Sequence, residues 1–347
     1  MSLPLRLAIN GYGRIGRCVL RAWMESADPD AIQIVAINEP ADLESMAYLT
    51  RFDSTHGVFP GEVGALDGGL RVRGQDIQVF HAREPAEVPW SDLGLDLLLE
   101  CSGTYGTRER LQGFLDAGCP RLLVSNPGHS AADVDGTIVH GINDADLRAD
   151  QRIVSAASCT TNAIVPVLDL LDRHLGVRSA FLTTLHSVMN DQPMIDGYHH
   201  SDLRRTRSAM QSIVPVTTGL AQGVERLLPQ LAGRIQAKAV RVPILNVSAI
   251  DLTVNLAQAT SVDALNALLT QAAQSCPHLL ACTRQPHASI DFNHDAHSAI
   301  LDLGQTRVNN GHFANLLVWF DNEWGFANRM LDIARIWADL FRPARPE

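Results

Sequence analysis

The chain has 347 residues, of which 46% are hydrophobic and 19% charged, and this length favours two domains. Such a composition excludes a disordered or collagen-like protein, because a chain this apolar can bury enough surface to offset the entropy lost on ordering. The formal net charge of -10 disfavours nucleic acid and anionic membranes as partners, so an anionic ligand would need a local basic pocket.

No apolar run approaches the roughly 18 residues that span a bilayer, and the N-terminus lacks the features of a signal peptide. We therefore expect a cytoplasmic protein with no membrane partner. The six cysteines show no C-x-x-C spacing and do not form a disulfide framework in a chain of this length. Most are predicted to be small buried hydrophobes, and no metal site is expected.

The first part of the sequence alternates strand-like and helix-like segments, which predicts an α/β fold with a doubly wound sheet. The predicted strands are Leu5–Ile9, Ile32–Ile37, Leu95–Cys101 and Arg121–Ser125, and the predicted helices are Arg14–Glu25 and Arg108–Ala117. The third of these strands is apolar almost throughout, as in a parallel sheet buried on both faces.

A glycine-rich turn, Asn10-Gly11-Tyr12-Gly13-Arg14-Ile15-Gly16, joins the first strand to the first helix. In that position the G-x-G-x-x-G pattern is typical of the Rossmann dinucleotide-binding fold. Gly11 permits the tight turn, Gly13 lets the backbone approach a pyrophosphate, and Gly16 lets the helix pack against the strand. The helix N-terminus offers unpaired N–H groups to the anion.

An acidic residue follows the second predicted strand. Glu39 lies 23 residues after Gly16, close to the roughly 20 expected for the acid that binds the adenosine ribose hydroxyls. A carboxylate there would repel a 2′-phosphate, which favours NAD over NADP. The alternative is a structural glycine turn with a surface acid nearby by chance.

The pattern changes after about residue 155. Longer strands are predicted at Phe181–Leu185, Gln236–Val242, Val247–Leu256 and Phe313–Phe320, and helices at Cys159–Leu175, Thr218–Leu228, Ser261–Gln274 and Phe326–Leu340. Strict apolar–polar alternation from residue 250 to 256 indicates an antiparallel sheet with one wet face. We expect a nucleotide-binding domain over residues 1–157, completed by a C-terminal helix in 325–347, and an α+β catalytic domain with a mainly antiparallel sheet over 158–324.

A candidate nucleophile lies at the predicted start of a helix. Ser158 is predicted to cap this helix, and Cys159 to occupy its first turn. There the helix dipole would stabilise a thiolate, which is the reactive form of the side chain. A neighbouring imidazolium would lower the thiol pKa further. His186 is the best candidate because it follows a predicted strand and begins a polar stretch. The alternative is a buried structural cysteine.

Arginines provide a candidate basic pocket. The segment Arg204-Arg205-Thr206-Arg207 holds three arginines in four positions, so they cannot all face one way, and Arg241 ends a predicted strand. Guanidinium groups match phosphate geometry well. A solvated face or a subunit contact is the alternative, more for Arg204 and Arg207 than for Arg205 and Arg241. The acidic and histidine-containing stretch 291–297 is expected to be structural rather than a metal site.

Five segments together resemble the glyceraldehyde-3-phosphate dehydrogenase family. They are Ile9-Asn10-Gly11-Tyr12-Gly13-Arg14-Ile15-Gly16-Arg17, Phe52-Asp53-Ser54-Thr55-His56-Gly57, Ser158-Cys159-Thr160-Thr161-Asn162, Arg241-Val242-Pro243 and Asp321-Asn322-Glu323-Trp324-Gly325. The resemblance implies a nucleophilic role for Cys159 and an activating role for His186. Contact with substrate or with the attacking group is implied for Ser158 and Thr160. Binding of substrate phosphate or of a second anion is implied for Arg205, Thr218, Gly219 and Arg241. Contacts with NAD are implied for Arg14, Ile15, Glu39, Arg83, Ser125 and Asn322. A homotetramer is implied by the resemblance alone.

Within this family the chain is most similar to the branch that oxidises D-erythrose 4-phosphate. The closest matches are the segments 186–192, 204–207 and 319–330. This resemblance implies that oxidation leaves the substrate as a thioester on Cys159. It also implies that water releases this thioester as 4-phosphoerythronate, in the synthesis of pyridoxal phosphate. The alternatives are a phosphorylating glyceraldehyde-3-phosphate dehydrogenase, a semialdehyde dehydrogenase and a non-catalytic NAD-binding regulator.

Two positions depart from the common pattern of the family. Met189 stands where a threonine usually contacts a phosphate, so a hydrogen-bond donor is lost and bulk is added. Glu39 stands where the family usually has aspartate, one methylene shorter, and should still select NAD.

Overall fold

The structure is a computed structural model that describes residues 3–199 and 202–342. The chain divides into two compact units. The first comprises the residues up to Ser158 and those from Ala327 onwards, and the second comprises Cys159–Phe326. Residues 1, 2 and 343–347, which the sequence assigned to the first domain, lie outside the described residues. Within the described ranges, no helix is both long and apolar enough to cross a membrane.

In the part of the first unit that the structure describes, there are eleven strands. They are β1 Leu5–Asn10, β2 Ile32–Asn38, β3 Phe52–Asp53, β4 Gly57–Val58, β5 Val63–Leu66, β6 Gly69–Val72, β7 Gln75–Phe80, β8 Leu97–Glu100, β9 Leu122–Val124, β10 Gly136–Thr137 and β11 Ile153–Ser155. Its helices are α1 Arg14–Glu25, α2 Leu43–Arg51 and α3 Arg108–Asp116.

Nine of these strands form one sheet in the order β10-β11-β9-β8-β1-β2-β7-β6-β5. The pairs from β10 to β7 are parallel, whereas β6 is antiparallel to both of its neighbours, β7 and β5. The strand order reverses beside β1, which makes the carboxyl ends of β1 and β8 the switch point where open α/β sheets bind ligands. Leu7, Ile9 and Leu98 are fully buried in this sheet, so the predicted doubly wound sheet is confirmed.

Among its described residues, the second unit contains eight strands and three helices. They are α4 Cys159–Leu175, β12 Val177–His186, β13 Val214–Val216, α5 Leu220–Leu227, β14 Ile235–Arg241, β15 Ser248–Leu256, α6 Val262–Ser275, β16 Leu280–Thr283, β17 Ala299–Asp302, β18 Arg307–Asn309 and β19 Phe313–Phe320. A last helix, α7 Trp324–Phe341, runs from this unit into the first.

The sheet of the second unit follows the order β13-β14-β12-β15-β19-β17-β16, with β18 beside β19. Most of its pairs are antiparallel, as predicted, but β12 runs parallel to β14 and β16 to β17. The predicted alternation on β15 is confirmed, because Leu252, Val254 and Leu256 are buried whereas Asp251 is exposed.

Several predicted boundaries are wrong, and the reasons are local. The sequence analysis placed His186 after a strand, yet β12 includes it because His186 pairs with Arg241 on β14. Helix α5 begins at Leu220 rather than Thr218, whose hydroxyl accepts a hydrogen bond from the Leu220 N–H (3.2 Å). Helix α7 begins earlier than predicted, since Asp321 accepts from the N–H of Trp324 (2.8 Å).

Candidate active site

The three glycines of the turn after β1 have different surroundings. Gly11 has φ +86°, and a Cβ there would lie 2.4 Å from Ser102 Cα. A Cβ on Gly16 would lie 2.2 Å from the carbonyl oxygen of Gly11, whereas one on Gly13 would meet nothing within 4 Å. Gly11 and Gly16 are therefore required by the fold, and Gly13 borders open space that fits the pyrophosphate of a dinucleotide.

Other residues predicted to bind NAD lie at the carboxyl edge of the same sheet. Glu39 follows β2, and its Oε2 accepts a hydrogen bond from the Tyr12 N–H (2.8 Å), which holds the carboxylate against the glycine turn. Ser125 directly follows β9, and its N–H donates to the carbonyl of Glu100 at the end of β8 (2.9 Å). Arg83 follows β7 and is exposed. A carboxylate beside an open glycine turn fits NAD.

Arg14 has a structural partner that the sequence analysis did not assign. Its guanidinium donates twice to Asp53, at 2.5 and 3.2 Å. Burial alone would raise the pKa of Asp53, but Arg14 and the N–H groups of His56 and Thr55 hold it far below its usual value. The guanidinium is thus engaged by Asp53, and the NAD contacts expected of Arg14 and Ile15 stay predictions.

Cys159 is the first residue of the 17-residue helix α4. The turn before it is strained, because Ala157 has φ +60°, a left-handed conformation that side chains disfavour. The Ser155 hydroxyl accepts from the Ala157 N–H (3.0 Å) and supports this turn. Cys159 Sγ lies 3.8 Å from the Thr160 hydroxyl and 3.8 Å from His186 Nε2. A thiol S–H can donate to that ring nitrogen.

The charge state of this pair differs from the expectation. Burial raises the pKa of the Cys159 thiol, although Thr160 and Arg241 oppose the rise. Burial and the charge of Arg241 lower the pKa of His186 to about 4. Both shifts favour a pair of neutral groups, a thiol and an imidazole, over the thiolate and imidazolium that the sequence suggested. Such a pair is activated by transfer of the thiol proton to His186.

The proton position on His186 depends on two neighbours of Nδ1. This nitrogen lies 2.8 Å from the carbonyl oxygen of Ser187 and 2.6 Å from Arg241 Nη1. It can donate to the carbonyl or accept from the guanidinium, but not both. Only the first choice leaves Nε2 as an acceptor for the thiol proton.

Two of the predicted arginines lie near one carboxylate. Arg205 Nη1 donates to Asp191 (2.9 Å) and its Nε lies 3.5 Å from Asp202. Burial and the like charge of Arg205 lower the pKa of Arg241, whereas Asp191 raises it. Asp191 was not assigned by the sequence analysis, although it lies in the polar stretch that follows His186. It accepts a hydrogen bond from Arg205 and acts on Arg241 through its charge.

Arg205 also lines a cavity of about 400 Å³. The other residues of its lining are Asp202, Arg204, Pro215, Val216 and Thr217. Thr218 and Gly219 come next in the chain and are exposed at the start of α5. Arg207 is not part of this arrangement, since it pairs with Asp196 at the surface (3.0 Å). Met189 is 46% exposed and offers no side-chain donor.

Asn322 is the second residue after β19. Its Oδ1 accepts hydrogen bonds from the hydroxyls of Ser187 (3.1 Å) and Ser248 (2.7 Å). The sequence analysis did not assign either serine, because they lie 135 and 74 residues from Asn322 and only the sheet pairing of β12, β15 and β19 brings them together.

Models of two domains from one family match this chain. The NAD binding domain of glyceraldehyde 3-phosphate dehydrogenase matches residues 5–108, and the C-terminal domain of the same enzyme matches residues 158–322. The two matched segments contain the glycine turn and the pair of Cys159 and His186.

Proposed function

The chain belongs to the glyceraldehyde-3-phosphate dehydrogenase family, and from this premise we propose that it oxidises D-erythrose 4-phosphate to 4-phosphoerythronate through a thioester on Cys159. It is an NAD-dependent dehydrogenase, because its N-terminal segment matches the NAD binding domain of the family. The observation that carries the proposed chemistry is the 3.8 Å approach of Cys159 Sγ to His186 Nε2 at a helix start.

The first step forms a bond between Cys159 Sγ and the aldehyde carbon. The thiol proton passes to His186 Nε2 as the bond forms, and His186 then returns it to the former carbonyl oxygen. While that oxygen is negative, the backbone N–H of Cys159 at the start of α4 is available to stabilise it. The product of this step is a neutral hemithioacetal on Cys159.

The second step converts the hemithioacetal into a thioester. NAD, when bound, accepts the hydride that leaves the substrate carbon. His186 takes the hydroxyl proton at the same time, a general-base role worth roughly 10²–10⁴ in rate. Asn322 is proposed to bind the nicotinamide. Water then attacks the thioester, the C–S bond breaks, and Cys159 recovers a proton as the acid is released.

Substrate phosphate is proposed to bind Arg241 and Arg205, with Thr218 and Gly219 beside them. A phosphate dianion would attract the Arg241 guanidinium, which is 2.6 Å from His186 Nδ1. Relieved of this donor, Nδ1 can donate to the Ser187 carbonyl, and Nε2 becomes the base that the first step needs. Ser158 and Thr160 flank the thiol and are proposed to contact substrate.

The choice of the four-carbon substrate rests on the resemblance of segments 186–192, 204–207 and 319–330 to the branch that oxidises D-erythrose 4-phosphate, and Met189 supports release by water rather than by inorganic phosphate. A threonine hydroxyl at this position would donate to inorganic phosphate, whereas the thioether of Met189 offers no donor and adds bulk. Weaker handling of inorganic phosphate favours hydrolysis of the thioester over phosphorolysis. The oxidation would then supply 4-phosphoerythronate for the synthesis of pyridoxal phosphate.

The deciding experiment compares initial rates on D-erythrose 4-phosphate and D-glyceraldehyde 3-phosphate, each with and without inorganic phosphate. We expect faster oxidation of the four-carbon aldehyde and no acceleration by phosphate. Met189→Thr should gain phosphate dependence, whereas Met194→Thr, in an exposed position of the same loop, should not. Preference for the three-carbon aldehyde with an absolute need for phosphate would instead identify a phosphorylating glyceraldehyde-3-phosphate dehydrogenase.

A non-catalytic NAD-binding regulator is the alternative of another class. It predicts no turnover of either aldehyde and no acyl group on Cys159 after incubation with NAD and either aldehyde. We also propose a homotetramer, on the family resemblance alone, and light scattering of the purified protein tests it. A monomer by that measurement would contradict this part of the proposal.

A further inference from the structure

The side-chain carboxamide of Asn322 is held from one end only. Its Oδ1 accepts from the hydroxyls of Ser187 (3.1 Å) and Ser248 (2.7 Å). Both serines are fully buried, and Asn322 itself is 8% exposed. Within residues 3–199 and 202–342, Asn322 Nδ2 has no hydrogen-bond acceptor. The donor end of this amide is therefore available to a ligand.

The hydrogen bonds of the two serines fix which end of the amide is which. The Ser187 N–H donates to Ser248 Oγ (3.2 Å), so the Ser248 hydroxyl already accepts one bond and has its single proton left for Asn322. Ser187 likewise has one hydroxyl proton to give. If the amide turned over, two buried hydroxyl protons would face an NH₂ group with no acceptor, which is unfavourable in a buried site.

The backbone beside Ser248 is strained. Val247 has φ +63°, a left-handed conformation that is a clear outlier for a β-branched residue, and it is fully buried. Its side chain packs with Phe292 and Ile300 in a small core cluster. Strain of this kind persists where the surrounding structure holds a site in a required geometry. Here it precedes the residue whose hydroxyl lies closest to Asn322 Oδ1.

We propose that Ser187 and Ser248 are positioning residues, which hold Asn322 with its NH₂ group directed to donate to the carboxamide oxygen of the nicotinamide. This inference rests on the proposed role of Asn322 in binding NAD. It also gives Ser187 two tasks, because its carbonyl oxygen is the acceptor 2.8 Å from His186 Nδ1. Ser187 would then help to orient both the base and the amide.

The test compares the binding of NAD with that of ADP-ribose, which lacks the nicotinamide ring, by calorimetry on the full-length protein. Asn322→Ala, Ser187→Ala and Ser248→Ala should each weaken NAD binding, by up to about tenfold for the loss of one hydrogen bond. ADP-ribose binding should stay unchanged in all three. The double serine variant should be no weaker than Asn322→Ala, because both remove the same contact.

Thr184→Val is the matched control. Thr184 lies on β12 two residues before His186, is 2% exposed, and its hydroxyl has no hydrogen-bond partner among the described residues. Removing this buried hydroxyl should leave the ratio of NAD to ADP-ribose affinity unchanged. Should Ser248→Ala fail to fold, Ser248→Cys keeps nearly the same volume but has a much weaker donor. This variant should also lower the ratio of NAD affinity to ADP-ribose affinity.

Two results would overturn the inference. If Asn322→Ala lowers the ratio but the serine variants do not, the serines do not position the amide. If Asn322→Ala leaves the ratio unchanged, the amide does not bind the nicotinamide. Neither result depends on which aldehyde is oxidised, so a failure to oxidise D-erythrose 4-phosphate would leave this test intact.

Discussion

The glycine turn after β1 and the surroundings of Cys159 are built on opposite principles. The turn is one continuous segment, whose backbone N–H groups and missing side chains do the binding. The surroundings of Cys159 draw side chains from α4, β12, β14 and the loop that holds Arg205, and burial sets their charge states. A substitution in the turn should therefore act through space and backbone, and one near Cys159 through protons and charge.

Loss of the base near Cys159 should have the largest effect. His186→Asn removes the acceptor that lies 3.8 Å from Sγ, so kcat for aldehyde oxidation should fall by roughly 10²–10⁴. NAD affinity, measured by calorimetry, should be unchanged. His174→Asn, at the exposed end of α4, is the control and should keep full activity. A loss of less than tenfold for His186→Asn would mean that another group takes the proton.

The glycine turn should separate folding from binding. Gly16→Ala places a methyl group 2.2 Å from a backbone oxygen, so the free energy of unfolding should fall by about 3 kcal/mol in urea titrations. Gly13→Ala meets no atom within 4 Å and should leave stability nearly unchanged while weakening NAD binding about tenfold or more. Equal loss of stability in both variants would show that the turn is not divided in this way.

The ion pair of Arg14 and Asp53 should make the first unit sensitive to acid. Asp53→Asn should lower the free energy of unfolding at pH 7 by about 1–3 kcal/mol, because the carboxylate accepts charged and backbone hydrogen bonds. The pKa of Asp53 is lowered in the folded protein. Its contribution is therefore present above the unfolded pKa of about 3.9 and is lost as the pH falls towards the folded value.

Urea titrations of both proteins at several pH values check this prediction. The difference between wild type and Asp53→Asn should shrink below about pH 4. Asp76→Asn, which removes an exposed pair with Arg71, is the control and should hardly change the unfolding midpoint. A difference that stays constant down to pH 2 would contradict the assigned pKa direction.

A smaller effect is expected on the pH dependence of the reaction. With unphosphorylated D-glyceraldehyde, whose lack of phosphate removes one titration, kcat/KM should fall only as the pH approaches 4, where His186 becomes protonated. The part of the pH profile in which kcat/KM falls towards low pH is its acid limb. Arg241→Met removes the cation next to His186, so the acid limb should move to a higher pH. Burial is the larger cause of the lowered His186 pKa, so the acid limb of this variant should stay below the usual histidine pKa of about 6.5.

Arg204→Met is the control for that profile, because Arg204 is exposed and is not among the charges that act on His186. The charges that do act on the ring include Asp191 and Glu323, which oppose Arg241. An acid limb near 6.5 in the wild-type protein would mean that the imidazole is not held neutral by its surroundings.

Local pattern was enough to predict the nucleotide turn and the start of α4. Gly11, Gly13 and Gly16 follow a strand and open a helix, and Cys159 opens a helix whose apolar residues recur at helical spacing. Both features depend on neighbours in sequence. Helix α2 and the antiparallel strands from β5 to β7 were missed, because their amphipathic patterns are short.

The electrostatics near Cys159 could not be predicted in the same way. The raised pKa of Cys159 follows from burial, and the lowered pKa of His186 follows from burial and from the charge of Arg241, which is 55 residues from His186 in the chain. The left-handed backbone at Val247 and the shared bonds of Ser187, Ser248 and Asn322 depend on the pairing of three strands. No spacing in the sequence reports such contacts.

The covalent role of Cys159 is the central claim, and trapping the acylated enzyme tests it most directly. The protein should be mixed with NAD and D-erythrose 4-phosphate, quenched in acid within milliseconds to seconds, and analysed by mass spectrometry of its peptides. We predict one 4-phosphoerythronyl group on the peptide that contains Cys159, formed together with one NADH. None should form on Cys159→Ala, which should still bind NAD. Turnover with no acylated peptide, or turnover by Cys159→Ala, would contradict the account.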